Sequence, residues 1–108
     1  MSYNIRSIPK FDKQLKKLIK KYPSLKVEFI DFIKDLRVNP LQGIALGNNC
    51  YKIRLSIASK GKGKSGGARI ITHLLVSEYV VYLVSIYDKS ERETLSEKEL
   101  DQLLTFIP

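Results

Sequence analysis

Two residue types that build many enzyme sites are scarce in this 108-residue chain: it holds one histidine and one cysteine. The lone Cys50 has no partner for an internal disulfide, and one histidine with one cysteine gives no ligand cluster of zinc spacing and no Ser/His/Asp array. No metal and no cofactor is implied. Long apolar runs are also missing. The longest, Tyr79 to Ile86 broken only by Ser85, is too short to cross a bilayer and suits a buried strand. No charged-then-apolar leader opens the chain, so the expected location is the cytoplasm, with no membrane partner. Acidic residues are absent from Leu36 to Ser77, where Arg37, Lys52, Arg54, Lys60, Lys62, Lys64 and Arg69 stand unopposed. From Asp88 to Pro108 the balance reverses. A net charge of +8 concentrated in the centre points to a polyanion, nucleic acid ahead of membrane.

What is present suits a single domain over residues 1–108, since 44% apolar residues in a chain of this length can bury one core. Ser2 to Ile8 alternates loosely as a strand, and Pro9 can open a helix, where its missing N–H costs nothing. Phe11, Leu15, Leu18, Ile19 and Tyr22 share one face of that helix, and the lysines around them read as a solvated face in preference to an RNA contact. After Pro23, the residues Val27, Phe29, Ile30, Ile33 and Leu36 predict a second helix ending before Asn39 and Pro40, which completes a hairpin. Gly43, Gly47, Asn48 and Asn49 predict a loop. Tyr51 to Ala58 then alternates, with Tyr51, Ile53, Leu55 and Ile57 on one face and Lys52 and Arg54 on the other.

The Gly/Lys segment Ser59 to Gly67 reads as a hairpin loop between this strand and Ala68 to Val76, and a turn at Ser77 and Glu78 leads to Tyr79 to Tyr87. Ser96 with Glu99 is a capping-box signature, followed by the stripe Leu100, Leu103, Leu104 and Ile107. The predicted class is α+β: an N-terminal strand, a helical hairpin, a three-stranded antiparallel meander and a C-terminal helix.

The segment GKGKS at Gly61 to Ser65 lacks the spacing of a phosphate loop: the earlier glycine would have to be Ala58, and a strand follows where a helix N-terminus is needed. NTP binding is discarded. The meander instead gathers Lys52, Arg54, Arg69 and Lys89 on the exposed sheet face, at roughly 5 Å per strand. Such cations could hold a scissile phosphate and stabilise charge on its oxygens while a 2′-hydroxyl attacks, with Lys52 as base if its neighbours lower its pKa. Equally, they could be ordinary strand residues or a passive nucleic-acid surface. His73, on strand parity with Arg69, is either an acid or base near the cluster or a packed histidine. Tyr87 either stacks on a base or closes the core. Lys60, Lys62 and Lys64, on a glycine-relieved loop, suit a phosphate backbone or form a plain hairpin tip.

Tyr51-Lys52-Ile53-Arg54, the segment SKGKGKSGGARII from Ser59 to Ile71, and VSIYDKSE from Val84 to Glu91 resemble the RelE/ParE superfamily of toxins, with a Gly/Lys loop most similar to the HigB-type branch. The resemblance spans nearly the whole chain. It implies a type II toxin–antitoxin toxin that cuts mRNA at the ribosomal A site without metal, inhibiting translation and leaving a 2′,3′-cyclic phosphate and a 5′-hydroxyl. Lys52 matches the family's first catalytic lysine, Arg54 its second basic strand position, and Arg69 the arginine that stabilises the transition state. Lys89 falls where RelE has an arginine proposed as general acid. The chain departs from the family at Leu95, where RelE carries a functional tyrosine; Tyr87 and His73 are the candidates to substitute. Implied partners are mRNA, the ribosome, a cognate antitoxin that covers the basic face or displaces the closing helix, and operator DNA through the toxin–antitoxin complex. Two other readings remain open: a ParE-like gyrase inhibitor without nuclease activity, and a non-toxic nucleic-acid-binding module.

Overall fold

The computed structural model describes residues 2–61, 66–92 and 94–108. Their order is β1 (Asn4–Ser7), α1 (Pro9–Lys21), α2 (Leu25–Val38), β2 (Ile44–Gly47), β3 (Cys50–Leu55), β4 (Ala68–Leu75), β5 (Val80–Asp88) and α3 (Glu97–Leu104). The α+β class holds, with three helices on a mixed sheet. That sheet has five strands in the order β1-β5-β4-β3-β2, so the predicted meander β3-β4-β5 is its centre. It gains β1 at one edge, parallel to β5, and β2 at the other.

The segment expected to be a loop around Gly43 and Gly47 is in fact half of a hairpin. Asn48 and Asn49 both take positive φ, 54° and 60°, as the turn that matches strand twist requires, and asparagine tolerates that region. The alternation from Tyr51 also ends earlier than its pattern. β3 stops at Leu55, because the next residues bond to α2 in place of the ladder: Ala58 N–H donates to Glu28 Oε2 at 2.8 Å and Ser59 N–H to Ser24 Oγ at 2.9 Å. Opposite this exit Gly67 approaches so closely that a Cβ would lie 2.1 Å from the Leu55 carbonyl oxygen, so no larger residue fits without backbone movement.

The register divides the sheet into two faces. Ile53, Ile70 and Ile86 lie side by side on one. Phe32 of α2 borders Ile53 and Leu18 of α1 borders Ile86, so the hairpin helices cover this face. In α2 the buried stripe is Leu25, Phe32 and Leu36 with Phe29 packed beside them, an i, i+4, i+7, i+11 set. Val27 and Ile30, expected in the core, are 63% and 48% exposed. On the opposite face, Lys52, Ile71 and Ser85 form one row and Arg54, Arg69 and Tyr87 the next. α3 lies over this face. Its Leu103 shares a cavity of about 290 Å³ with Ser85, and Leu100 and Leu103 are buried.

β1 reaches only as far as Leu83 along β5, which leaves the rest of that edge without a strand. Gln14 of α1 serves there: its Oε1 accepts from Ile86 N–H at 3.1 Å and from Ser85 Oγ at 3.2 Å. A backbone donor that a missing strand would have paired is thereby satisfied.

Candidate nucleic-acid interface

β3, β4 and β5 place three of the expected site residues in one row, Arg54 opposite Arg69 and Arg69 opposite Tyr87. Lys52 stands two residues along β3 on the same face, and Lys89 follows Tyr87 by the same step, its N–H bonded to the Gly67 carbonyl at 3.0 Å. The predicted convergence of cations is therefore present. Its expected openness is not. Arg54 is exposed and Lys52 and Lys89 are half-buried, but Arg69 is 1% exposed, its Nη1 donating to the Ala68 carbonyl at 3.1 Å. Tyr87 is buried as well.

Above Tyr87 sits a residue that pattern reading passed over. The Arg92 guanidinium lies 5.7 Å from the centre of the Tyr87 ring, within cation–π range. Its Nη2 donates to Glu99 Oε1 at 2.6 Å, and its Nε to the Thr94 carbonyl at 3.3 Å. Glu99 also closes the capping box of α3: Ser96 Oγ accepts from Glu99 N–H and the carboxylate accepts from Ser96 N–H, both at 3.1 Å. The Arg92 bond, then the Ser96 bonds, lower the Glu99 carboxyl to about 2, and Glu99 in turn raises Arg92. Arg92 was visible only as one basic residue in an acidic stretch. The signal that could have found it was the seven-residue spacing to a glutamate already assigned to a helix start.

Lys60 was expected on the surface of the glycine-rich loop, and it is not there. Its ammonium pairs with Asp88, whose side chain is 0% exposed, and stands 5.7 Å from the Tyr22 ring centre. Tyr22 Oη donates to Asp88 Oδ2 at 2.8 Å, while Ser90 N–H and Oγ donate to Oδ1 at 2.9 and 2.8 Å. Burial alone would raise the Asp88 carboxyl; the Lys60, Ser90 and Tyr22 bonds outweigh it and hold the group well below the usual carboxylate range. Lys62 and Lys64 lie outside the described residues.

His73 is four residues beyond Arg69, about 13 Å along the strand, and lies opposite Cys50, one same-face step past Lys52. It pairs with Cys50, Sγ and Nδ1 being 3.4 Å apart. Burial lowers its pKa, opposed by a bond with the Asn48 backbone. Burial, aided by the charge of Asp101 on α3, raises the Cys50 thiol to about 11. Leu95 lines the cavity beside Arg92 and Leu103. Among the described residues no three His, Cys, Asp or Glu side chains group so as to hold a metal ion, and no helix is long and apolar enough to cross a membrane.

The family described as the RelE toxin of the RelE/RelB toxin–antitoxin system matches residues 10–106. The chain belongs to the RelE toxin family. A free double mutant of the Escherichia coli toxin RelE is similar over 100% of both chains, with 15% identity and a TM-score of 0.66. The toxin–antitoxin complex RelBE2 of Mycobacterium tuberculosis matches over 82% of this chain and 99% of the other, with 16% identity and a TM-score of 0.61. The intact E. coli RelBE complex matches over 81% and 96%, with 20% identity and a TM-score of 0.52. At these identities the likeness is one of fold.

Proposed function

We propose that this RelE-family toxin is a metal-independent endoribonuclease that cleaves mRNA at the ribosomal A site and thereby inhibits translation. The observation that carries the reading is the single sheet face holding Lys52, Arg54 and Arg69 beside Tyr87, with Lys89 just past the end of β5. A scissile phosphate lying across Arg54 and Arg69 would meet two guanidiniums whose forked donors match phosphate oxygens and strengthen as charge builds on them. Lys52 takes the proton of the 2′-hydroxyl as its oxygen attacks phosphorus. The P–O5′ bond breaks, and Lys89 returns a proton to the leaving 5′-oxygen. The products are a 2′,3′-cyclic phosphate and a 5′-hydroxyl, with no water consumed.

Because Arg69 is 1% exposed, RNA reaches it only after the groups packed over it move. A cognate antitoxin is the proposed protein partner, since RelBE2 and RelBE are both toxin–antitoxin complexes. Operator DNA would be met through that complex.

The test is primer extension on a reporter mRNA after a short induced pulse of the protein, beside Lys52→Ala and Arg54→Ala. In-frame cuts with the intact protein alone are expected. An uncut message in cells that still stop growing would replace this reading with gyrase poisoning.

A further inference from the structure

Arg92 stands where two cavities meet. It lines the space of about 290 Å³ under α3 and a second of about 470 Å³ bounded by Tyr87, Lys17 and Lys21. Gln14, its companion at both, is committed to the β5 edge, whereas the Arg92 side chain is 39% exposed and held by an ion pair whose other side chain is 43% exposed. Exposed pairs of this kind contribute little and exchange readily. A phosphodiester offers a guanidinium the same forked acceptor as a carboxylate. The Tyr87 ring, 5.7 Å from the guanidinium, puts Arg92 at the end of the Arg54–Arg69–Tyr87 row.

We infer that Arg92 is a substrate-contacting residue that α3 keeps in reserve: on RNA binding its guanidinium exchanges the Glu99 carboxylate for a backbone phosphate next to the scissile one. This rests on the nuclease reading for the identity of the polyanion, and it adds a contact and a brake. Beyond Arg92 the backbone would run toward Lys17 and Lys21 on α1. Glu99 is a competitor for the site, so losing its charge helps binding while losing Arg92 harms it. A residue that only fastened α3 would behave otherwise, because removing either end of a clamp has the same effect.

The experiment measures binding of a 2′-O-methyl RNA oligonucleotide, which lacks the attacking hydroxyl, by fluorescence anisotropy across a salt series. Arg92→Ala, Arg92→Lys and Glu99→Gln are compared with the intact protein. Glutamine keeps the capping-box acceptor, and melting curves verify that each variant is folded. Arg92→Ala is expected to weaken binding about tenfold and to reduce the slope of log K against log salt by about 0.7, one phosphate contact on a single strand. Arg92→Lys should keep the slope and recover part of the affinity. Glu99→Gln should bind more tightly than the intact protein. Equal weakening by Arg92→Ala and Glu99→Gln, an unchanged slope in Arg92→Ala, or no binding by the intact protein overturns the inference. Cleavage of message on translating ribosomes is scored separately. The expected binding pattern without any cutting would remove the nuclease reading alone, and cutting that Arg92→Ala leaves intact would remove this inference alone.

Discussion

Lys60 and Asp88 form a buried ion pair that ties the start of the glycine-rich segment to the last residue of β5, with Tyr22, the residue after α1, bonded to the same carboxylate. A cation that reads as a phosphate ligand is thus part of the framework, and it fixes the end of the strand from which Lys89 projects.

Breaking that pair leaves a charge buried without its partner, which costs about 3–5 kcal/mol. We predict that Asp88→Asn and Lys60→Ala each lower the urea midpoint by a corresponding amount. The acid limb separates the two states further. Asp88 titrates lower in the folded protein than when unfolded, so its contribution is full above its unfolded value near 4 and drains away as pH falls toward the folded one. The intact protein should lose melting temperature below about pH 4 more steeply than Asp88→Asn. Parallel acid limbs in the two proteins would refute this.

Arg54 and Arg69 should separate function from stability. Arg54→Ala, at an exposed site, should change stability by no more than about 0.5 kcal/mol while reducing mRNA cleavage by about 100-fold. Arg69→Ala should lose both, because the side chain fills buried volume. If Arg54→Ala cleaves normally on ribosomes, the row opposite Arg69 is structural.

Cys50 reports on the docking of α3. A buried thiol raised to about 11 is almost wholly protonated at pH 8 and should react slowly with iodoacetamide. Leu103→Ala, which loosens α3, should accelerate alkylation by about tenfold or more at unchanged pH. A rate indifferent to that substitution would mean that α3 does not control access to this face.

Gly67→Ala forces a Cβ to within 2.1 Å of the Leu55 carbonyl oxygen. The β3–β4 ladder must shift to relieve it, at about 1–3 kcal/mol. Chemical denaturation should register that loss, and a midpoint equal to that of the intact protein would show that the strands separate there without penalty.

Much of this architecture was legible because period and punctuation agreed. Pro9, the alternation from Tyr51, and Ser96 with Glu99 each marked an element that forms, and the meander with its strand alternation put Lys52, Arg54 and Arg69 on one face. β2 escaped notice because a four-residue strand preceded by Gly43 and ending in Gly47 carries turn signals at both ends. Val27 and Ile30 misled because α2 offers apolar residues around most of its circumference, and only packing against Ile53 selects the stripe through Leu25 and Phe32. Burial of Arg69 and the Lys60–Asp88 pair are relations between segments remote in the chain. Local pattern holds no record of them.

Gln14 gives the sheet a polarity of another kind. In the stretch of β5 that β1 leaves uncovered, this one side chain takes up a backbone donor that an added strand would otherwise pair. Among the described residues the opposite rim, β2, has all four of its residues exposed and presents Ile44 and Leu46 to solvent. The stretch of β5 beyond β1 is therefore closed by a side chain, whereas β2 ends the sheet with its residues in solvent.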